Sequence, residues 1–419
     1  MYRFVFRSVA LVAALVWVAL FVQFVRLRLA YEPVLPAISQ PLAAAPSPTA
    51  LPLPIIIPPT LEPLPDTIAA GQGGAELPQT ASNATTGIHP KTGRYVAAWL
   101  PTSFDAEAAR ATFEANKDVL DEVSPFWYGV RADGQLAADT GSRDEELVRI
   151  AHENNVLIIP TIHNIDNADA ASVVISTPEN RANHIQIILA EVRAYQYDGI
   201  DIDYESLSID MEDEFTAFMR ELSAALHAEG KLLTVAVHAH TGRPDYQNYA
   251  DLGEVVDRLR IMTYDYSWSG SAPGPIAPLF WVRDVAEYAR SVVDPTKIQI
   301  GISFYAYDWP NNGGKASSLT YTDIQAIKAE YAPSVNFVEE RNGELVQESF
   351  FNYANRTVWF ANEKSLRSRM ELVRELDLAG IAIWRLGNED PQNWRYIRES
   401  LQQDPVIIQR TINTYLPEH

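Results

Sequence analysis

The sequence predicts an α/β fold, a (β/α)8 TIM barrel that occupies most of the chain of 419 residues. From residue 94 onward, short runs rich in Val, Ile and aromatic residues alternate with longer amphipathic segments, as strands and helices alternate in parallel α/β folds. Eight such strands can be counted before residue 405, which is the number in a TIM barrel. The fourth strand ends in acidic residues, at the end of the barrel where active sites lie.

The alternation fixes the predicted elements in order along the chain. Predicted strands span 95–100, 123–130, 156–162, 197–205, 232–239, 258–264, 298–305 and 380–386. Predicted helices span 105–116, 143–155, 178–195, 211–228, 281–292 and 362–376. Pro178 and Glu179 are typical of a first helical turn, and Gly230 is typical of a helix end. The barrel is therefore expected over residues 93–405, followed by a tail over 406–419.

The segment over 306–361 is too long for a plain barrel connection. It contains a short helical pattern and two predicted strands around Asn342-Gly343, a dipeptide that favours a tight hairpin. We therefore expect a small α+β insertion lobe between the seventh and eighth strands. Its aromatic residues could stack on sugar or form a core of its own, and contact with a ligand is expected most for Trp309.

The amino-terminal residues predict a membrane anchor and a linker. Residues 8–25 form an uncharged apolar run with arginines on both sides, a length that just spans a bilayer, so residues 1–30 are expected to form a transmembrane helix. A cleaved signal peptide is the alternative. Residues 31–92 are rich in Pro and Ala and predict an extended, disordered linker.

Composition excludes some classes of function. The formal net charge is -21, which repels a phosphate backbone, so nucleic acid is not expected as a partner. The sequence contains no cysteine, which excludes a disulfide framework and a Cys-ligated metal site.

The fourth predicted strand carries the clearest chemical signal. Acidic and apolar residues alternate over 197–205, so Asp201, Asp203 and Glu205 share one face of the strand. At a rise of about 3.3 Å per residue, Asp203 and Glu205 lie about 6.5 Å apart along the strand. Like charges beside apolar walls raise at least one carboxyl pKa, which leaves an acid able to protonate a leaving oxygen near neutral pH. Carboxylates that merely face water are the plainer interpretation, but the flanking helical patterns indicate a buried parallel strand.

This stretch resembles, position for position, the D-x-x-D-x-D-x-E signature of glycoside hydrolase family 18, the chitinase-like barrels. The resemblance implies that Glu205 is the general acid and base, that Asp203 orients the acetamido group of the substrate, and that Asp201 holds or shares a proton with Asp203. It implies a structural role for Asp198 and Gly199. In this family the nucleophile is the carbonyl oxygen of the substrate's own N-acetyl group.

Other strands carry further matches to the family. Met262, Tyr264 and Asp265 resemble its M-x-Y-D motif on the sixth strand, and Trp384 resembles the tryptophan that forms the floor of the reactive-sugar subsite. These residues are implied to bind substrate. The third strand departs from the family's S-x-G-G motif, and Asn164 is expected to supply substrate-binding contacts there with its side-chain amide. The residues after Trp384 resemble the bacterial surface and spore-associated branches.

Two other functions stay open at this point. His163, His238, His240 and Asp265 could ligate a metal at the barrel mouth and activate water, although the resemblance implies neither a metal nor a cofactor. Alternatively, the protein could bind carbohydrate without hydrolysing it, since some barrels of this family have lost the acid; the presence of Glu205 counts against this.

The resemblance implies an enzyme, a retaining glycosidase that acts on β-linked polymers of N-acetylhexosamine. Chitin-like glycans and peptidoglycan both carry the acetamido group that the chemistry requires, and the sequence does not choose between them or between endo and exo action. The catalytic domain is expected outside the cytoplasm, anchored to the membrane, or secreted if the amino-terminal segment is cleaved. A monomer is expected.

Overall fold

A computed structural model describes residue 91 and residues 93–165, 167–387 and 389–401 of the chain. The predicted membrane anchor, the predicted tail and the predicted linker up to residue 90 lie outside the described residues. Within the described residues, no helix combines the length and apolar character that crossing a bilayer requires.

The elements follow one another in the order expected of repeated strand–helix units. Strands β1 to β9 are Tyr95–Leu100, Glu122–Val130, Leu136–Ala138, Leu157–Ile158, Thr161–His163, Gly199–Asp203, Leu232–His238, Arg258–Met262 and Ile298–Ser303. Strands β10 to β15 are Ala306–Pro310, Ser317–Leu319, Asn336–Arg341, Glu344–Tyr353, Arg356–Phe360 and Gly380–Trp384. Helices α1 to α10 are Ala106–Asn116, Glu145–Glu153, Ala168–Ile175, Pro178–Tyr195, Glu212–His227, Tyr249–Val255, Leu279–Val292, Tyr321–Tyr331, Glu363–Glu375 and Pro391–Leu401.

Eight parallel strands close into a barrel. Strands β1, β2, β5, β6, β7, β8, β9 and β15 pair in that order, and β15 pairs with β1 to complete the circle. All of these pairings are parallel, so every active-site loop lies at the same, carboxyl-terminal end. The closed eight-strand barrel with its helices confirms the predicted fold class.

The predicted third strand is interrupted in the structure. Residues 157–158 and 161–163 form the separate strands β4 and β5, which both pair with β2. Pro160 lies between them, and a proline cannot donate the N–H that a continuous ladder would require. Helices α3 and α6 and the short strand β3 also lie where the sequence predicted no element.

Most of the core lies between the barrel strands and the surrounding helices. Apolar side chains on the outer faces of the strands, such as Ile200 and Ile202 on β6, are buried against helix residues such as Phe218 on α5. Glycine is required at the start of β6, because a Cβ on Gly199 would lie 2.3 Å from the Leu232 carbonyl oxygen. The tight approach of β6 and β7 at this point fits the structural role expected of Gly199.

The segment between β9 and β15 contains a five-stranded antiparallel sheet in the order β11-β10-β14-β13-β12, together with α8. The hairpin of β12 and β13 turns at Asn342 and Gly343, which both have positive φ, as the sequence predicted. Trp309 is 1% exposed and packs with Ile276, Val346 and Trp359, which favours a core role over contact with a ligand. The lobe uses this tryptophan for its own core.

Candidate active site

Strand β6 brings three carboxyl groups to the carboxyl-terminal end of the barrel. Asp201 and Asp203 are buried on the interior face of the strand, while Ile200 and Ile202 pack on the outer face, as the alternating pattern predicted. Glu205 follows two residues after the strand ends, and its side chain is 34% exposed. The row therefore runs from a fully buried aspartate to a glutamate that reaches solvent.

Asp201 is held by the neighbouring strands. One carboxyl oxygen accepts hydrogen bonds from the Trp99 indole and the Thr161 hydroxyl, each at 2.9 Å. The other accepts one from the Thr234 hydroxyl and lies 3.2 Å from a guanidinium nitrogen of Arg260. Both oxygens are thus engaged by partners other than Asp203, and these donors stabilise the negative charge of Asp201.

A buried arginine lies beneath this aspartate. Arg260 is 1% exposed and contacts the Glu122 carboxylate at 2.7 Å as well as Asp201. Its guanidinium group also donates to Ser124 and Gln299. Buried charges are tolerated only when they are paired and hydrogen-bonded, and this cluster meets both conditions.

Asp203 has the opposite environment. It is 5% exposed, and its Oδ1 atom is buried with no hydrogen-bond partner among the described residues. Burial, followed by the negative charges of Glu205 and Asp201, holds the pKa of the Asp203 carboxyl well above its ordinary value. A buried polar atom without a partner is unusual in a folded protein, so this oxygen is free to accept a hydrogen bond from a water or from a ligand.

Glu205 is the exposed end of the row. Burial raises the pKa of its carboxyl, the nearby His238 opposes that rise, and Asp265 adds to it. Its backbone is fixed by Asn164, whose amide oxygen accepts the Glu205 N–H at 2.7 Å and whose amide nitrogen donates to the Glu205 carbonyl at 2.6 Å. Asn164 is 2% exposed, so its amide positions the glutamate instead of facing a substrate as the sequence predicted.

The loop after β8 supplies the next group of expected residues. Tyr264 is partly buried, and burial, followed by the charges of Asp203 and Glu205, raises the pKa of its hydroxyl well above the ordinary value. Asp265 adopts positive φ and accepts hydrogen bonds from the hydroxyls of Tyr305 and Tyr307. The M-x-Y-D motif thus lies beside the acidic row.

Met262 and Trp384 end their strands at the same end of the barrel. Met262 is the last residue of β8, and its side chain is only partly buried. Trp384 is the last residue of β15, and its ring contacts the rings of Trp99 and Phe126 edge-on, with centroids 6.0 and 5.4 Å apart. It is partly exposed above these buried aromatics, as a floor residue would be.

Asp198 lies at the other end of the barrel. It precedes β6, and one of its carboxyl oxygens accepts the Ile158 N–H at 2.8 Å and lies 2.9 Å from the His152 ring. The aspartate therefore links strand β6 to β4 far from the exposed carboxyl group of Glu205. This placement agrees with the structural role expected of it.

The histidines of the metal hypothesis are separated from one another. His163 stacks on Phe126 with its Nε2 atom 3.9 Å from Asp139, and the His240 ring packs 4.1 Å from the Tyr249 ring. His238 faces other carboxylates. Among the residues that the structure describes, no group of three or more His, Asp or Glu side chains is arranged to hold a metal ion, so their placement gives the hypothesis no support.

Several residues of the site were not expected from the sequence. They are Trp99, Thr161, Thr234 and Arg260 around Asp201, and Tyr305 and Tyr307 around Asp265. Trp99 and Tyr305 lie at or just after the carboxyl ends of barrel strands, which is the one signal that could have found them; Thr161, Thr234 and Arg260 lie earlier in their strands. Their contacts depend on pairings between strands that are distant in sequence.

Taken together, the partly exposed carboxyl group of Glu205, whose pKa is raised, lies at the end of a row with two buried aspartates and near an aromatic floor. Such a site is suited to acid catalysis on a sugar substrate, since the acid can donate to a leaving oxygen while the buried aspartate pairs with a group of the substrate.

Known proteins are similar to this chain in sequence and in fold. A sequence model described as "Glycosyl hydrolases family 18" matches residues 111–389. The cortical fragment-lytic enzyme of Bacillus anthracis is 27% identical over 294 residues, which cover 67% of this chain and 68% of that protein. The spore cortex-lytic enzyme SleL of Bacillus cereus has a solved structure with a TM-score of 0.67 and 26% identity, covering 73% of this chain and 74% of that one. A chitinase of Chromobacterium violaceum gives a TM-score of 0.67 with 26% identity and 74% and 99% coverage.

Proposed function

The protein belongs to the glycosyl hydrolases of family 18, and on that premise we propose that it hydrolyses β-linked glycans containing N-acetylglucosamine, with retention of the anomeric configuration. The observation that carries the proposal is the buried Oδ1 atom of Asp203, which has no hydrogen-bond partner among the described residues and lies in the same short stretch as Glu205. The N–H of a substrate acetamido group would supply the missing partner. That pairing selects sugars with a 2-acetamido group.

The proposed reaction begins at Glu205. Its protonated carboxyl donates to the glycosidic oxygen while the acetamido carbonyl oxygen of the substrate attacks the anomeric carbon. Asp203 accepts the acetamido N–H and stabilises the positive charge that develops on the resulting oxazolinium ion. The ionised Glu205 then takes a proton from water as that water opens the oxazolinium ion. Retention follows because the anomeric carbon is substituted twice.

The surrounding residues position the sugar. Asp201, held by Trp99 and Thr234, lies beside Asp203 and is one of the groups that raise the pKa of the Asp203 carboxyl. Trp384 provides an apolar surface for the face of the reactive sugar, and the Tyr264 hydroxyl donates to the acetamido carbonyl. Met262 and Asp265 complete the wall formed by the loop after β8.

Two substrate classes fit this chemistry. Relatives named as a chitinase and as cortex-lytic enzymes match the chain with similar identity, so chitin-like glycans and peptidoglycan are both proposed substrates. Such polymers lie outside the cytoplasm. We place the catalytic domain there, either tethered by the apolar segment over residues 8–25 or released if that segment is cleaved.

The test compares the wild-type full-length protein with Glu205→Gln on chitin oligomers and on purified peptidoglycan. We expect new reducing ends whose β-anomer is in excess when proton NMR is recorded immediately, and a fall in kcat by a factor of about 10² to 10⁴ in the variant, since it lacks the acid. Binding of the oligomers should survive in the variant.

Three other results would contradict the proposal. An excess of the α-anomer would exclude retention, and unchanged activity in Glu205→Gln would exclude this acid. Binding of the oligomers by the wild-type protein without any release of reducing ends would favour a carbohydrate-binding protein.

A further inference from the structure

His238 lies between two carboxyl groups at the mouth of the barrel. It is the last residue of β7 and pairs in register with Met262 at the end of β8. Its Nε2 atom is 3.9 Å from Glu205 Oε2, and its Nδ1 atom is 3.5 Å from Asp245 Oδ2. One ring thus connects the general acid to an aspartate that is 9% exposed.

The backbone and the ring of this histidine are held in place. The His238 N–H donates to the Gln247 side chain at 2.6 Å, and its carbonyl oxygen accepts from the Tyr249 hydroxyl. The Tyr246 ring contacts the imidazole edge-on, with centroids 5.7 Å apart. The backbone of His238 is thus fixed on both sides, and its ring packs against Tyr246, which limits the positions that the imidazole can take.

The charged groups around His238 and Glu205 are mostly negative. Glu205 faces the ring from the β6 side, Asp265 and Tyr264 interact with Glu205 from the β8 side, and Asp245 lies near the other ring nitrogen of His238. Two further cationic or titratable groups come from the loop of His238 itself. Arg243, which is well exposed, lies 3.8 Å from Asp245, and His240 has its pKa lowered by burial.

The His238 ring affects the pKa values of the Glu205 and Asp245 carboxyl groups. Burial raises the pKa of Glu205, and the charge of His238 opposes that rise. Burial also acts to raise the pKa of Asp245, but the hydrogen bond with His238 and the Gln247 N–H bring it below its ordinary value. Both carboxyl groups are therefore easier to ionise because His238 is present.

Resting on the proposed function, we propose that His238, held by Asp245, is a positioning residue for Glu205: its imidazolium stabilises Glu205 as an anion between the two halves of the reaction. A small rotation of either side chain brings the Nε2–H within hydrogen-bonding distance of the glutamate. The metal hypothesis assigned His238 as a ligand, whereas its contacts with Glu205 and Asp245 support a positioning role.

The proton balance of the reaction is unchanged by this histidine. In the first half, the Glu205 O–H bond breaks, its proton passes to the glycosidic oxygen, the bond from that oxygen to the anomeric carbon breaks, and the acetamido oxygen bonds to the same carbon. In the second half, water attacks that carbon and gives its proton to Glu205. His238 keeps its own proton throughout, and its effect is electrostatic.

The first test measures the pH dependence of kcat/KM for His238→Gln on a chitin oligomer. Without the positive charge of the His238 imidazolium, Glu205 keeps its proton to higher pH. The alkaline limb of the profile, where kcat/KM falls as Glu205 ionises, should therefore move to higher pH. We expect kcat to fall by a factor of about 10 with KM nearly unchanged, since the lost charge acts on the transition state. Asp245→Asn should shift the limb in the same direction by less.

His152→Gln is the matched control. His152 pairs with Asp198 at 2.9 Å in the same way, but at the opposite end of the barrel, so its profile should equal that of the wild-type protein. Unchanged kcat and an unchanged alkaline limb in His238→Gln and Asp245→Asn would overturn the proposal. If circular dichroism shows that His238→Gln is unfolded, the test is made with Asp245→Asn, which keeps the imidazole ring.

A second measurement does not depend on activity. The His238 ring signals, assigned by their absence in His238→Gln, are compared by NMR at one pH in the wild-type protein and in Glu205→Gln. Loss of the neighbouring carboxylate should shift these ring signals, and identical signals would overturn the contact. If the wild-type protein hydrolyses no glycan, the proposed function fails, whereas an unchanged alkaline limb in an active His238→Gln removes only the role of the histidine.

Discussion

The side chain of Asp203 differs from that of Asp201, two residues earlier, in having a buried oxygen without a protein partner. Asp201 accepts hydrogen bonds from three side chains and contacts Arg260. The two aspartates share one strand and one face, so their difference comes from the side chains opposite them. That difference leaves the Asp203 oxygen open to a group of the substrate, while Asp201 is held by the protein.

Replacing Asp203 by Asn tests its part in the reaction. The amide keeps the shape of the carboxyl but cannot become an anion beside the oxazolinium ion, so we expect kcat to fall by a factor of about 10² or more. Steady-state kinetics on a chitin oligomer measures this, with circular dichroism to check the fold. A variant with wild-type kcat would show that Asp203 does not act on the reacting sugar.

Asn164 acts through the backbone of Glu205. It holds both the N–H and the carbonyl of that residue, and each such bond stabilises the protein by about 1 kcal/mol. Asn164→Ala should therefore lower the free energy of unfolding by about 2 kcal/mol and lower kcat by a factor of about 10, because the acid loses its fixed position. Urea unfolding and steady-state kinetics measure the two effects.

The control for this variant is Asn183→Ala. Asn183 is exposed on α4 and makes a single backbone contact of 3.3 Å with Asp133, so both measurements should match the wild-type protein. An Asn164→Ala protein that is destabilised but fully active would give the asparagine a structural role alone.

At the scale of elements, one buried ion pair joins the insertion lobe to the barrel. Glu348 on β13 accepts the backbone N–H groups of Ile276 and Ala277 at 2.7 and 2.8 Å, and it contacts Arg369 of α9 at 2.8 Å. Glu348 is fully buried and Arg369 is 2% exposed. The loop after β8 is thus held between lobe and barrel, and that loop also carries Asp265 of the active site.

Glu348→Ala should be severely destabilising. It leaves a buried guanidinium group and two backbone N–H groups without their carboxylate, which lowers the free energy of unfolding by about 3–5 kcal/mol in comparable cases. Chemical denaturation measures this. Glu344→Ala, at an exposed position of the same strand, should stay within about 0.5 kcal/mol of the wild-type protein. Equal stabilities for the two variants would show that the pair does not anchor the lobe.

At the scale of the whole molecule, the two ends of the barrel use carboxylates for different purposes. At the amino-terminal end, an aspartate immediately before a strand accepts a backbone N–H from the neighbouring strand. Asp121 accepts from Val96, Asp198 from Ile158 and Asp257 from Leu233. These contacts fix the positions of adjacent strands, while the carboxyl groups at the other end are left for chemistry.

Two of these aspartates also bind a histidine, which makes stability depend on pH. The hydrogen bond that His227 donates to Asp257 raises the pKa of His227 above 6.5 in the folded protein. A raised folded pKa means that its contribution is fully present below the unfolded value of 6.5 and is lost as pH rises through the folded value. The stabilising effect of His227 should therefore be larger at about pH 6 than at about pH 8.

Urea unfolding of the wild-type protein and of His227→Gln at both pH values measures this effect. We expect the difference between the two proteins to shrink as pH rises. Ser223→Ala, which removes the other side-chain contact of the His227 ring, is a useful comparison, since it keeps the pairing with Asp257. A difference that is the same at both pH values would show that the pairing with Asp257 does not respond to protonation.

The sequence alone determined the barrel, the acidic strand and the lobe. Hydrophobic periodicity is a local property, so it located all eight barrel strands approximately, and Asn342-Gly343 located a hairpin. Hydrophobic periodicity did not predict the break in the third strand at Pro160 or the short helices α3 and α6, because a single residue or a short element overrides the pattern there. The alternation over 197–205 also fixed which carboxyl groups share a face.

Only the tertiary structure decided what each of those carboxyl groups contacts. The partners of Asp201 come from β1, the start of β5, β7 and β8, up to 102 residues away, and no local pattern encodes that pairing. Asn164, expected to contact substrate, instead binds the backbone of Glu205. His238, considered as a metal ligand, lies with its ring between Glu205 and Asp245. Local sequence sets which face a side chain takes, whereas its partners, and hence its acidity, are set when the barrel closes.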